Sequence, residues 1–169
     1  MKTTKTFSAP SGIDPKWRVG IVYAPYYKEE TESMVNAAKD MLLASGLPAE
    51  NILLHEAPGS WEVPLIGRAL VQAGKVDALI GFGIIVQGDT KHAEMLADGV
   101  VQGMMDVQIR FGLPFAFEVL YVNYIEQARA RAFGEHNKGK EAAAAVLQTL
   151  VTLQKAVMPE KKAGVGFRV

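Results

Sequence analysis

The sequence predicts an α/β fold of three layers, a mainly parallel four-stranded sheet with helices on both faces. Two observations carry that prediction. Short apolar runs alternate along the 169 residues with longer segments of helical period, and strands that alternate with helices are joined by right-handed crossovers into a parallel sheet. The run at 78–86 (ALIGFGIIV) is also apolar throughout, as a strand covered on both sides must be.

Residues 1–16 are polar, with Ser, Thr, Gly and Pro, and read as an N-terminal arm. One domain follows over 17–158. Residues 18–23 (RVGIVY) are the first strand and 24–27 a loop. A helix runs from about 28 to 45, with Glu29 and Glu30 in its first turn. Val35, Ala38, Met41 and Leu42 share its inner face, and Gly46 is its stop. Residues 51–56 (NILLHE) form the second strand. A second helix covers about 63–73, with Pro64 tolerated in its first turn. After the third strand comes a helix over about 90–111, in which Ala93, Leu96, Ala97, Val100, Met104 and Val107 recur at helical spacing. The Met residues there read as core filler. Gly112 and Pro114 break it, and 115–122 (FAFEVLYV) is the fourth strand. A short helix covers about 125–133. The last runs from 138 to 157, with Ala143, Val146, Leu147, Leu150 and Leu153 inward. Residues 159–169 are a polar, Gly-containing tail, expected to be loose.

Composition excludes several classes. Lys plus Arg and Asp plus Glu each number 18, so formal net charge is zero. That argues against a nucleic acid held by bulk charge, and leaves little repulsion against self-association. No cysteine is present, so neither disulfides nor thiolate chemistry are expected. Histidines at 55, 92 and 136 have no metal-ligand spacing. No apolar run reaches the roughly 18 residues of a membrane span, and the N-terminal residues lack the apolar core of a signal peptide. A cytoplasmic protein is the expectation.

Ligands of such folds bind at the carboxyl ends of the strands. The loops there are 24–27, 57–62, 87–92 and 121–124. Tyr26 and Tyr27 offer rings that stack on a heterocycle or merely roof the sheet. Gly59 and Ser60 offer backbone to a ring's amide edge. Trp61, by its size, is expected in the core more often than on a ligand. Glu62 can accept from sugar-like hydroxyls, or be a charge favoured at a helix start. At 87–92, a strand ends in Gly88 and a helix opens, with Asp89 and Thr90 both suitable caps. Backbone N–H groups and the helix dipole then converge on one spot, as an anion such as phosphate requires. His92 falls beside it as an acid/base; an ordinary turn with an exposed histidine is the competing reading. Arg131 and Lys138 are isolated cations near helix ends, of the kind that pairs with phosphate when not simply solvated.

Four motifs taken together resemble the lumazine synthase family. They are Pro58-Gly-Ser-Trp-Glu-Val-Pro64, Gly88-Asp-Thr-Lys-His92, Ile125-Glu-Gln-Ala128 with Arg131, and Asn137-Lys-Gly139 followed by Glu141. Each alone is unspecific; the four in the family's order, over about 18–157, are not. The resemblance implies a flavodoxin-like fold. It implies condensation of 5-amino-6-ribitylaminouracil with 3,4-dihydroxy-2-butanone 4-phosphate to 6,7-dimethyl-8-ribityllumazine, without metal or organic cofactor. It implies a site between neighbouring subunits of a pentamer, which in some members closes into a shell of sixty subunits. The short link 132–137 is compatible with a shell. By the same resemblance Tyr26 stacks on the pyrimidine. Ser60, Trp61 and Glu62 hold the ring edge and ribityl chain. Ile84, Ile85 and Val86 offer strand-end backbone to the substrate. Gly88, Asp89 and Thr90 cradle the phosphate, and His92 is the acid/base. Phe117, Arg131 and Lys138 reach in from the adjacent subunit, with Arg131 on the phosphate, and Glu141 is an acidic residue near the site.

Two positions depart from the pattern. Gln87 stands where many members carry Arg or Lys. Glu118 stands where Gly is common, followed by Val119-Leu-Tyr-Val-Asn123 in place of a Leu-Thr-Thr type run. The first removes a cation near the phosphate; the second adds a carboxylate at a substrate-facing strand end. They keep open a ring- or shell-forming paralogue with weak or lost catalysis. The archaeal type of riboflavin synthase, a related pathway enzyme, stays open too, although the intact 88–92 motif speaks against it. So does a flavodoxin-like FMN carrier, since fold alone does not give function.

Overall fold

The computed structural model describes residues 8–158; residues 1–7 of the expected arm and the whole tail, 159–169, lie outside the described residues. The elements are β1 (Val19–Tyr23), α1 (Lys28–Ala44), β2 (Ile52–Glu56), α2 (Val63–Gln72), β3 (Ala78–Val86), α3 (His92–Phe111), β4 (Phe115–Val122), α4 (Ile125–Ala132) and α5 (Lys138–Val157). Short 3₁₀ turns precede β2 and α2, at Ala49–Asn51 and Ser60–Glu62. These bounds agree with the sequence reading to within a residue, except at the start of α3. No described helix is long and apolar enough to cross a membrane.

All four strands are parallel, in the order β2-β1-β3-β4. Strand period then sorts the core. Even residues of β3 and β4 (Ile80, Phe82, Ile84, Ala116, Leu120, Val122) pack against α1, α4 and α5. Odd ones (Leu79, Ile85, Phe115, Val119) pack against α2 and α3. The result is the expected three-layer, flavodoxin-like arrangement. The order reverses between β1 and β3, so α1 and α2 cover opposite faces and a crevice opens above these two strands. Loops 24–27 and 87–91 flank that crevice. Ladder bonds continue past the strand ends, Ala24 N donating to Phe82 O at 3.0 Å and Ala57 N to Tyr23 O at 2.8 Å.

The apolar pattern of the helices was less informative about what they cover. Met104 is buried in the core, but Met95 and Met105 on the same helix are exposed, so they are not core filler. Apolar residues occupy more than one face of α3, and only one face meets the sheet. Leu153, expected inward, is exposed, and Val151 is buried in its place.

Around α5 the packing is tight. Asn137 is buried; its Oδ1 accepts from Gly139 N at 2.7 Å, and its Nδ2 donates to Ala132 O and reaches Ser33 of α1 at 3.4 Å. The side chain thus caps α5 and ties it to α4 and α1. Arg129 Nε donates to the buried carboxylate of Glu30 at 2.8 Å, a second tie between α4 and α1.

Candidate active site

Above β1 and β3 lies a cleft of about 630 Å³ lined by Tyr26, Tyr27, Gly59, Ser60, Trp61, Ile84, Ile85, His92, Met95 and Leu96. Its first wall is the loop after β1. The hydroxyl of Thr31 donates to Tyr26 O, and Thr31 N to Tyr27 O, both at 3.0 Å. Tyr27 has φ 54°, the only non-glycine residue in the left-handed region among those described. Such a backbone costs on the order of 1–3 kcal/mol and persists where surrounding contacts hold it. Tyr26 stands 64 % exposed, so the rings border the cleft instead of sealing the sheet.

The second wall is the 3₁₀ turn Ser60–Glu62 running into α2. Trp61 is 59 % exposed, not in the core as its size suggested. Small residues explain how this segment is held. A Cβ added at Gly83 would lie 2.5 Å from Ser60 Oγ, one at Gly81 2.9 Å from Val63, one at Gly99 2.4 Å from the Trp61 ring, and one at Gly103 2.9 Å from Pro64. The segment therefore rests on glycines of β3 and α3, and the indole lies across α3 at the cleft mouth. Ile84 and Ile85 bury their side chains in the two core clusters, leaving their backbone to the cleft. Glu62 does not line the cleft; its carboxylate folds back over Gly59.

The third wall is the start of α3. The helix begins at His92, two residues later than expected, and the cap position is Lys91, without a side-chain capping bond. Neither Asp89 nor Thr90 is the cap. Gln87 is the reason. Its Nε2 donates to Gly88 O at 2.7 Å and Thr90 O at 3.0 Å, while its Oε1 accepts from the Tyr121 hydroxyl. These bonds fold 88–91 into a separate turn before helical geometry starts. Thr90 Oγ1 still accepts from His92 N, at 3.4 Å. Gly88, Asp89 and Thr90 are exposed beside the cleft, next to the first-turn N–H groups of α3, which have no helical acceptor. Val86, at the end of β3, is half-buried against the α1 side and does not line the cleft.

The remaining candidates are elsewhere in the same chain. Phe117 and Arg131 line a second cleft of about 330 Å³ along the open edge of β4, with Glu118, Tyr121, Gln127 and neighbouring strand residues. Arg131 Nη1 donates to Gln127 O at 2.7 Å. Lys138 and Glu141 form an ion pair in the first turn of α5. Glu118 faces that pair. Burial pushes its carboxyl up to about 7; Lys138 opposes the shift and the Glu141 carboxylate adds to it. No group of three or more acidic or histidine side chains suited to a metal occurs among the described residues.

The predicted residues thus separate into two groups. Tyr26, Ser60, Trp61, Ile84, Ile85 and His92 share one cleft. Phe117 and Arg131 share another, with Lys138 and Glu141 close by on α5. Sequence reasoning missed Met95 and Leu96, which line the first cleft one turn after His92. Their helical spacing from His92 was the available signal. It also missed the Gln87–Tyr121 contact, which nothing local in the sequence announces.

Comparison with known proteins follows the same lines. The family described as 6,7-dimethyl-8-ribityllumazine synthase matches residues 16–154. A protein of that name from Xylella fastidiosa (strain M12) is 39% identical over 139 residues, covering 82% of this chain and 90% of that protein. One from Stenotrophomonas maltophilia (strain K279a) is 37% identical over 138 residues, covering 81% and 89%. One from Xanthomonas oryzae pv. oryzae (strain PXO99A) is 37% identical over 135 residues, covering 79% and 88%.

Proposed function

The chain belongs to the 6,7-dimethyl-8-ribityllumazine synthase family, and we propose that its two clefts are the two halves of that family's active site. The protein is a transferase of riboflavin biosynthesis, joining 5-amino-6-ribitylaminouracil to 3,4-dihydroxy-2-butanone 4-phosphate with release of phosphate and water. One observation carries the site assignment. The stacking ring of Tyr26, the Ser60–Trp61 turn and His92 border one cleft, while Phe117 and Arg131 border another at the open edge of the sheet. A complete site then needs the β4 edge of a neighbouring subunit, as a pentamer or a sixty-subunit shell would supply. The cytoplasm is the compartment we assign it.

In this reading the uracil ring stacks on Tyr26, with its edge on the backbone of Ser60, Ile84 and Ile85. Trp61 bounds the ribityl chain, Glu62 joins it by turning its carboxylate out from over Gly59, and Val86 backs the strand end from the α1 side. The phosphate of the ketone lies against Gly88, Asp89 and Thr90, at the start of α3, with the neighbour's Arg131 on its other side. The uracil's free amine attacks the ketone and a first water leaves as the imine forms; phosphate is then eliminated, the ribityl-bearing nitrogen closes the ring onto the carbonyl that remains, and a second water is lost. Every step moves a proton, and His92 stands beside the phosphate loop to move it. Lys138 and Glu141 add a charged pair to the far wall. Holding two reactants in one pocket supplies much of the rate, since effective molarities of about 10⁵ M or more are attainable.

The test is to incubate the purified protein with both substrates and follow lumazine fluorescence. No product, with a working control enzyme, removes the assignment. Native mass or light scattering separates pentamer from shell, and a fully active monomer would overturn the shared site. Glu118 in the edge cleft favours one second reading, a ring- or shell-forming paralogue with lost catalysis; there, assembly persists and His92→Ala changes nothing measurable.

A further inference from the structure

Two departures from the family's pattern, Gln87 and Tyr121, touch each other. Tyr121 pairs in register with Ile85, and Gln87 follows two residues later on the same strand line, so both side chains leave the sheet on the α3 side. Gln87 N donates to Val122 O at 2.8 Å, which carries the β3–β4 ladder one step beyond β3 and fixes where the amide starts.

The amide is fully used. Both of its N–H donors reach carbonyls, Gly88 O at 2.7 Å and Thr90 O at 3.0 Å, and its oxygen accepts from the Tyr121 hydroxyl. Flipping it would set the amide oxygen against two carbonyl oxygens, so one orientation is selected. In a trans peptide the carbonyl of one residue and the N–H of the next point in opposite directions. With the carbonyls of Gly88 and Thr90 turned to Gln87, the N–H groups of Asp89 and Lys91 turn away from it. They join the first-turn N–H groups of α3, which have no helical acceptor.

We infer that Gln87, held by Tyr121, is a positioning residue of the phosphate loop, setting affinity for the phosphorylated ketone by orienting backbone donors and not by charge. This rests on the proposed role of 88–90 as the phosphate site. Where a cation at 87 attracts phosphate directly, a neutral amide here arranges the donors that bind it.

The test uses the full chain, with Gln87→Met and Tyr121→Phe singly and together. The probe is inorganic phosphate, its Kd taken by calorimetry, alongside KM for each substrate. Gln87→Met is expected to weaken phosphate binding and raise KM for the ketone phosphate by about tenfold, the scale of one lost hydrogen-bonded arrangement. KM for the uracil and the melting temperature stay at wild-type values. Tyr121→Phe gives a smaller loss that disappears in the Gln87→Met background. Unchanged phosphate affinity in Gln87→Met overturns the inference, as does a parallel rise in KM for the uracil or full additivity of the two variants. Gln87-dependent phosphate binding without lumazine formation would sink the proposed activity and leave the inference standing. Lumazine formation indifferent to Gln87→Met would do the reverse.

Discussion

Replacing Gly139 by alanine should be the most destabilising single-methyl change at the start of α5. An ideal Cβ there would lie 1.9 Å from Met34 O and 2.7 Å from Met34 C, both backbone atoms of α1. Ordinary contact begins at 3.4 Å, so α1 and α5 would have to part by about 1.5 Å. A backbone oxygen inside a helix cannot rotate away as a side chain can. Parting them loosens Met34, Val35 and Ala38 from Ala142, Ala143 and Val146 in the larger core cluster. Overpacking of this kind costs about 1–3 kcal/mol, and its upper end applies here. The Asn137 cap, whose Oδ1 the new Cβ would meet at 2.9 Å, adds about 1 kcal/mol if lost. Against this, alanine gains at most ~1 kcal/mol in helix propensity. The net loss is roughly 3 kcal/mol, which at 2–4 °C per kcal/mol for a domain of this size lowers Tm by about 10 °C. Thermal unfolding followed by circular dichroism, at matched protein concentration, reads the shift. Lys140→Ala, exposed on the same turn, is the control and should move Tm little. A Gly139→Ala protein melting within a degree of wild type would refute the close-approach reasoning.

Three further outcomes are expected. The Glu118 carboxyl is raised from 4.5 to about 7 by burial, so the folded chain holds this proton more tightly than the unfolded one. Stability contributed by this group therefore falls as pH rises from about 4.5 to about 7 and is level above; Glu118→Gln should raise Tm at pH 8 relative to wild type and not at pH 4. Gly99→Ala puts a Cβ 2.4 Å from the outer ring of Trp61. Because that ring is the exposed end of a side chain, it should swing aside, shifting tryptophan fluorescence and raising KM for the uracil with little change in Tm. His92→Ala should lower kcat by about 10² or more, the range of a lost acid/base, while phosphate binding measured by calorimetry persists.

What the sequence carried well was whatever depends on neighbours along the chain. An unbroken apolar run could only be a strand covered twice, and β3 is Ala78–Val86 as read. Gly46 and Gly112 end α1 and α3 in the left-handed region as their positions implied. What it did not carry depends on contacts between distant segments. Helical period marked Leu153 and the α3 methionines as apolar, but not whether this chain or another surface covers them. Trp61 read as core by its size; its exposed position follows from Gly99, 38 residues on, which lets the indole lie flat on α3. Gln87 read as a missing cation, because the hydroxyl that orients it comes from Tyr121, 34 residues away.

The motifs that marked the chemistry also turn out to be packing motifs, and the two roles are linked. Ser60, Trp61, Val63 and Pro64 each rest where a glycine of β3 or α3 leaves no room for a Cβ. In Asn137-Lys-Gly139 the outer two residues fix α5 to α1, while Lys138 between them stays out of that contact and pairs with Glu141. A site that orients two substrates gains rate only if its walls hold to a fraction of an ångström. Glycines that admit one arrangement of the segment above them supply that rigidity without a polar contact. Gly83→Ala tests the link: its Cβ would meet Ser60 Oγ at 2.5 Å. Ser60 is buried, so its hydroxyl must turn into packed neighbours or the turn must shift, whereas the Trp61 ring can swing into solvent. Uracil KM should rise more in Gly83→Ala than in Gly99→Ala, and Tm should fall as well. Equal effects of the two variants would mean that the turn is held by something other than the glycines beneath it.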